Sequence, residues 1–294
     1  MKRIGFVGLG HMGLPMALNL CRKGFRVCVA SRNAASQATI LQAGGELIDS
    51  FKAMGELCDA VITVLPADKE IVDVYTSSDG ILANPKEGLV CIDMTSAKGM
   101  TKRDIAQHIK NNGFNVSFID APISGGVKGA QQGTLTIMVG CSDSEFDIVQ
   151  PILATMGTNI IHTGDVGTGS DIKMLNQMLN AANTAIAAEV LCLSRKLEIK
   201  DDVLFQVINQ SSGSSFVFQK NVPKFMMTGI HIPGFKLKLM EKDVSLFVES
   251  AQAKHVFAPI SSLVFNLYKA ADNQGMGELN YTAIHKWFDE NQSK

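Results

Sequence analysis

Short apolar runs alternate with helix-period segments through the first 160 residues, and that alternation leaves few folds open. Arg3 to Val7 reads as a strand and Leu14 to Lys23 as a helix stopped by Gly24. Arg26 to Ala30 is a second strand, followed by a helix from Ala34 to Ala43 that ends at Gly44-Gly45. Ala60 to Leu65 (AVITVL), Leu89 to Met94 and Val116 to Ile119 repeat the theme, with helical Thr101 to Lys110 among them. Gly133 to Gly140, with a helix from Ser144, reads as one more strand–helix unit. Strands that are apolar end to end, separated by helices, build a parallel sheet covered on both faces. The second half has another texture. Ser170 to Lys196 contains neither proline nor glycine and reads as one long helix. Helical segments follow at Asp201 to Ile208, Lys236 to Ala253, Pro259 to Asn273 and Tyr281 to Glu290, with no strand expected after about residue 163.

The chain has 26 glycines, and their clusters carry more meaning than their number. Gly8-Leu9-Gly10-His11-Met12-Gly13 is a G-x-G-x-x-G set directly after the first strand and at the mouth of the first helix. Gly8 permits the tight turn, Gly10 lets backbone approach a pyrophosphate, and Gly13 lets helix pack on strand. The helix N-terminus then offers open N–H groups and partial positive charge to phosphate oxygens. The expected fold class is therefore α/β: a Rossmann-type doubly wound sheet over residues 1–163, joined by a long helix to an all-helical substrate and oligomerisation domain over residues 164–294. At the end of the second strand, a carboxylate would accept from a ribose 2′-hydroxyl and favour NAD. Here the chain reads Ala30-Ser31-Arg32-Asn33. Ser31, Arg32 and Asn33 supply a cation and neutral donors suited to a 2′-phosphate, so NADP(H) is expected in preference to NAD(H). An arginine that only decorates the next helix would leave the same sequence.

Composition removes several classes of function. Lys and Arg total 27 against 28 Asp and Glu, for a net charge of −1, and no basic run occurs. Neither nucleic acid nor a membrane surface has an electrostatic footprint in such a chain. The six cysteines are spread from 21 to 192 without a C-x-x-C pair, and the six histidines form no H-E-x-x-H. A disulfide framework and a metal site are therefore not expected, and the protein is expected to be cytoplasmic.

Lys173, Asn176, Gln177 and Asn180 are offset by three, four and seven, and so share one face of the long helix. If that face is buried, its polar groups need partners, and a substrate's hydroxyl and carboxylate would serve; a solvated polar face has the same spacing.

The run Phe6-Val7-Gly8-Leu9-Gly10-His11-Met12-Gly13-Leu14-Pro15-Met16-Ala17 resembles the opening signature of the β-hydroxyacid dehydrogenase family. The likeness continues through Leu65-Pro66, Asp93-Met94-Thr95-Ser96, Asp120-Ala121-Pro122-Ile123-Ser124-Gly125-Gly126, Gly167-Thr168-Gly169 with Lys173, and Lys242-Asp243. The resemblance implies an oxidoreductase that moves a hydride between the nicotinamide cofactor and a small β-hydroxyacid or its oxo-acid. It implies Lys173 as general acid/base and Ser124, Gly125 and Gly126 as the carboxylate site, with the active site in the cleft between the domains. It also implies Leu65, Pro66, Thr95 and Ser96 along the cofactor, and Phe235, Lys242 and Asp243 over the nicotinamide. Many family members carry Asn four residues after the lysine, where this chain has Gln177 preceded by Asn176, so either amide is a candidate to orient substrate. A homodimer or homotetramer is expected from the apolar helical half. A non-catalytic NADP(H)-binding module would keep the glycine loop but has no use for Lys173.

Overall fold

The computed structural model describes residues 3–30, 33–232 and 234–292, and divides into two compact units, Met1–Lys173 and Met174–Lys294. The first unit runs β1 (Arg3–Val7), α1 (Gly13–Arg22), β2 (Arg26–Val29), α2 (Ala34–Gln42), β3 (Glu46–Leu47), α3 (Phe51–Leu57), β4 (Ala60–Thr63) and α4 (Asp68–Thr76). It continues β5 (Leu89–Asp93), α5 (Gly99–Asn111), β6 (Val116–Asp120), β7 (Ile123–Ser124), α6 (Gly126–Gln132), β8 (Leu135–Gly140), α7 (Asp143–Leu153) and β9 (Gly157–Gly164). Helix α8 (Thr168–Lys196) starts in this unit and runs on into the second.

The strand order is β3-β2-β1-β4-β5-β6-β8-β7, with β9 on β8. Pairings from β3 to β6 are all parallel, and the order reverses beside β1, between β2 and β4. In an open α/β sheet a ligand lies outside the carboxyl ends of the strands at such a reversal. The sheet is not parallel throughout. β8 runs antiparallel to β6 and β7, while β9 returns parallel to β8. The turn at Pro122 permits this, because β7 and α6 reverse the chain before β8 begins.

Strand periodicity builds two cores. Ile4, Phe6, Ile62 and Ile92 pack on one face with Met16 and Leu20 of α1. Val61, Cys91 and Phe118 pack on the other with Met54 of α3 and Tyr75 of α4. Side chains that alternate across a sheet must both be apolar when helices cover both faces, which is why these strands carry continuous apolar runs. Helix α7 opens with a capping box: Glu145 Oε2 accepts from the Ser142 N–H at 3.0 Å.

The second unit adds α9 (Asp201–Asn209), α10 (Phe216–Asn221), α11 (Leu237–Ala253), α12 (Pro259–Ala271) and α13 (Ile284–Glu290) to the rest of α8. Wide π turns follow α10 and α12, and the segment expected to be helical from Pro259 to Asn273 passes into the second at Asp272 and leaves helical geometry at Gln274. Ala181, Ala188, Leu191, Phe218, Met240, Val244, Tyr268 and Ile284 form its core. Its only β pairing among the described residues is an isolated bridge between Lys236 and Asn280. No helix among the described residues is long and apolar enough to cross a membrane.

Candidate dinucleotide and catalytic site

The glycine loop lies between β1 and α1, at the reversal of strand order. Gly8 has a φ of +96°, and a Cβ there would run into the Val64 carbonyl. A Cβ on Gly13 would strike the carbonyl of Gly8 itself. Those two glycines are required by the turn and by the packing of helix on strand. Gly10 differs: its φ is not left-handed, and nothing lies within 4 Å of where its Cβ would stand. The protein's own packing gives no reason for a glycine at position 10, and the open space fits close approach by a ligand. Leu9, His11 and Met12 complete the loop, and the Leu14 N–H already bonds the Gly10 carbonyl at 3.0 Å. The first turn of α1 has no acidic residue to repel a phosphate, while its Met16 N–H bonds the Met12 carbonyl at 3.4 Å and Pro15 has no N–H. The loop thus fits a dinucleotide pyrophosphate.

Of the residues after β2, Ser31 and Arg32 lie outside the described residues. Asn33 caps α2, its Oδ1 accepting from the Ser36 N–H at 3.0 Å. The turns after β4 and β5 are tied together. Thr95 Oγ1 donates to Asp93 Oδ1 at 2.7 Å and accepts from the Leu65 N–H at 2.9 Å. The Thr95 side chain therefore holds the Leu65-Pro66 turn, with Ser96 next along the chain.

Ser124 ends β7, and Gly125 (φ +133°) and Gly126 (φ +63°) lead into α6, a backbone path that residues with side chains rarely follow. Asp120, at the end of β6, caps α8: it accepts from the Ser170 N–H at 2.7 Å and from Ser170 Oγ at 2.6 Å. Burial raises the Asp120 carboxyl above its ordinary range, opposed by Lys102 and by the two Ser170 bonds. Arg103 Nη2 donates to Asp171 Oδ2 at 2.5 Å in the same turn. One turn further on, Lys173 is only 7% exposed, and Gln177 is 5% exposed.

The helix face anticipated from sequence is thus divided. Lys173 and Gln177 are buried, Asn180 is half-buried and Asn176 is exposed, which is not a solvated polar face. Within the second unit, Gln177 Nε2 donates to Asp243 Oδ2 at 2.8 Å, and Lys242 Nζ lies 2.9 Å from Asp243 Oδ1. Asn176 Nδ2 reaches Gln177 Oε1 at 3.4 Å. Tyr281 donates its hydroxyl to Asn180 Oδ1 at 3.3 Å and accepts from Asn221 Nδ2 at 2.6 Å. Phe235 packs edge-on to Tyr281, ring centroids 5.9 Å apart.

Two family models cover the chain. Residues 3–164 match the NAD-binding domain of 6-phosphogluconate dehydrogenase, and residues 167–288 match the NAD-binding domain of NADP-dependent 3-hydroxyisobutyrate dehydrogenase. Among curated relatives, 2-(hydroxymethyl)glutarate dehydrogenase of Eubacterium barkeri is 33% identical, with 98% of this chain and 95% of that protein aligned. The NAD-dependent L-serine dehydrogenase of Pseudomonas aeruginosa is 32% identical over the full length of both chains. Among solved structures, 3-hydroxyisobutyrate dehydrogenase of Mycobacterium tuberculosis with L-serine superposes with a TM-score of 0.90 at 31% identity, covering 98% of this chain and 99% of that one. This chain belongs to the β-hydroxyacid dehydrogenase family.

As a member of that family, the protein is an NAD(P)-dependent oxidoreductase acting on CH–OH groups. Several residues of this dehydrogenase that organise the site escaped the sequence reading. Asp93, Asp120, Lys102 and Ser170 are all fully buried, at the carboxyl ends of the central strands and beside them. The available signal was two aspartates, each closing an apolar strand (VCID and SFID), which must meet a cation if both are buried. Tyr281 and Asn221 gave no comparable signal. In the second unit, Cys192, His285 and Asp289 bring three ligand-type atoms within 4.8 Å of one another. Arg195 Nη1 lies 3.3 Å from His285 Nε2 and 3.4 Å from Asp289 Oδ2, so a guanidinium already supplies positive charge there.

Proposed function

We propose that this dehydrogenase moves a hydride reversibly between NADP(H) and a small β-hydroxyacid or its oxo-acid, with Lys173 as general acid/base. One observation carries the reading: Lys173 is buried on α8 one turn from a helix start fixed by Asp120, with the amide of Gln177 buried on the same face. A bound nicotinamide supplies the hydride acceptor or donor. In the oxidation, the Lys173 amine takes the hydroxyl proton as hydride leaves the same carbon; in the reduction, the ammonium returns it. The Ser124 hydroxyl and the N–H groups of Gly125 and Gly126 hold the substrate carboxylate. Gln177 orients the substrate in preference to Asn176, because it is the buried one of the two amides. Asp243, paired with Lys242, fixes Gln177 in place. Residues 1–163 serve the cofactor and contribute the carboxylate site, and 164–294 serve the rest of the substrate and assembly.

The names of the relatives support this substrate class. L-Serine and 2-(hydroxymethyl)glutarate each carry a hydroxyl on the carbon β to a carboxylate. For the cofactor, support comes from the lack of a carboxylate at Ala30-Ser31-Arg32-Asn33 and from the second family model, which describes an NADP-dependent enzyme. An NAD-dependent relative shows that the family admits both cofactors. Assembly as a homodimer or homotetramer is supported by exposed Leu175, Leu179, Ile186 and Leu193, which recur along α8 at intervals of four or seven residues. Buried, unpaired thiols such as Cys28, Cys58, Cys91 and Cys141 suit a reducing compartment such as the cytoplasm.

The test is a panel of hydroxyacids (L-serine, 3-hydroxyisobutyrate, L-threonate, glycerate) assayed with NADP and with NAD. Turnover with NADP at the higher kcat/KM, abolished in Lys173→Ala while NADPH still binds, is the expected result. A strong NAD preference would overturn the cofactor reading, and a fully active Lys173→Ala would overturn the mechanism.

A further inference from the structure

Asp93 and Asp120 are the last residues of neighbouring parallel strands and are register partners. Both are fully buried, so two carboxylates sit side by side with no access to water. Lys102 of α5, also fully buried, reaches between them: its ammonium donates to Asp93 Oδ2 and to the Thr95 carbonyl at 3.2 Å, and lies 3.9 Å from Asp120 Oδ1. One cation thus serves two anions whose other oxygens lead in different directions. Asp93 Oδ1 accepts from Thr63 Oγ1 and Thr95 Oγ1, both at 2.7 Å, and Thr95 holds the turn at Leu65. Asp120 holds Ser170 by two bonds, and Ser170 precedes Lys173 by one helical turn on the same face.

We propose that Lys102 is a positioning residue for Lys173: its ammonium holds Asp120 in the ionised, hydrogen-bonding form that fixes the first turn of α8. The proposal rests on the reading of Lys173 as the proton-transfer group. A buried ion cluster is a poor device for stability alone, since apolar residues of equal volume do as well or better. Its specific product here is geometry, because Ser170 has two bonds to one carboxylate and α8 carries any shift at Ser170 rigidly to Lys173. A displacement of about 1 Å at a reacting group is enough to cost roughly a hundredfold in rate.

The experiment compares Lys102→Met, Ser170→Ala, the double variant and Lys173→Ala in the full-length protein. It reads kcat, NADPH Kd and hydrogen exchange of the peptide spanning residues 168–174. Lys102→Met is expected to lower kcat by about ten- to a hundredfold, and to speed exchange in that peptide about tenfold without raising it in β1 or β4. Ser170→Ala is expected to lower kcat with NADPH Kd within about twofold, and the double variant to lose no more than the worse single one, since both act through Asp120. Additive losses, or unchanged exchange at 168–174 in Lys102→Met, overturn the proposal. If Lys102→Met does not fold, Ser170→Ala alone decides: kcat and exchange at the wild-type level overturn it. A dead Lys173→Ala beside an active Lys102→Met refutes positioning and leaves the mechanism standing. An active Lys173→Ala refutes the mechanism, and exchange still reports whether Lys102 orders α8.

Discussion

Gly10→Ala separates what the glycine loop does for the fold from what it does for a ligand. The structure leaves the space around a Cβ at position 10 empty to 4 Å, and the backbone there is not left-handed. Alanine at a compatible glycine position stabilises by about 0.4–1 kcal/mol through the unfolded chain. The variant should therefore melt at or slightly above the wild-type temperature. The same methyl group occupies the space through which backbone N–H groups would approach a pyrophosphate. Losing one or two charge-assisted hydrogen bonds costs about 1.5–3 kcal/mol each, so NADPH Kd should rise by roughly ten- to a hundredfold or more. Gly8→Ala is the opposite control. Its Cβ meets the Val64 carbonyl at a φ of +96°, so it should lower the melting temperature of the free protein outright. Thermal melts and NADPH fluorescence titrations on the two variants give all four numbers. A Gly10→Ala protein that binds NADPH within twofold of wild type refutes the assignment of that space to the cofactor.

Lys173→Ala should reduce kcat by about a hundred- to ten-thousandfold, the usual share of a positioned acid/base, with NADPH titrating as in wild type. Gln177→Leu should destabilise the protein by about 1–3 kcal/mol in denaturant melts, because the buried Asp243 Oδ2 loses its amide donor. Ile62→Ala, in the central strand and wholly buried, should cost about 2–5 kcal/mol in the same assay. Burial and the neighbouring positive charges of His285 and Lys286 depress His231 to about 4. A histidine depressed in the folded state leaves the unfolded chain binding the extra proton. Stability is therefore full above about pH 6.5 and declines as pH falls toward 4, and His231→Asn should flatten that slope in melts between pH 7 and 4.5.

The sheet was legible because its strands are covered on both sides. In AVIT at Ala60–Thr63 and LVCID at Leu89–Asp93 the only polar residue is the last, so nothing inside the run suggests a helix face. The unread pieces are those whose environment is mixed. β9 (GTNIIHTG) pairs only with β8 and is largely exposed, so its alternation is weak and its threonines and asparagine look like loop. Helices α3, α6 and α10 have six or seven residues, too few for a 3.6-residue period to show against noise. The antiparallel placement of β8 was not legible either, because direction depends on where the chain turns at Pro122-Ile123-Ser124, not on the strand's composition.

The candidate site divides along the same physical line. A glycine loop is local: strand, turn and helix start occur within a dozen residues, and the steric reasons for Gly8 and Gly13 lie in adjacent chain. Lys173 and Gln177 share a face by helical spacing alone. The charge cluster that holds Ser170 is not local. Lys102 sits in Thr101-Lys102-Arg103-Asp104, a run with the polarity of a solvated helix, and only the packing of α5 turns it inward while Arg103 reaches Asp171. Asp93 and Asp120 lie 27 residues apart and meet through the β5–β6 register. Sequence does impose one constraint, which generalises to parallel sheets: aspartates ending two adjacent apolar strands cannot both be buried as anions without a cation. Here the cation comes from the segment crossing between those two strands, α5. On that reasoning Lys102, not Arg103, is the residue whose loss strands two charges, and Arg103→Ala should be the milder of the two substitutions in both kcat and melting temperature.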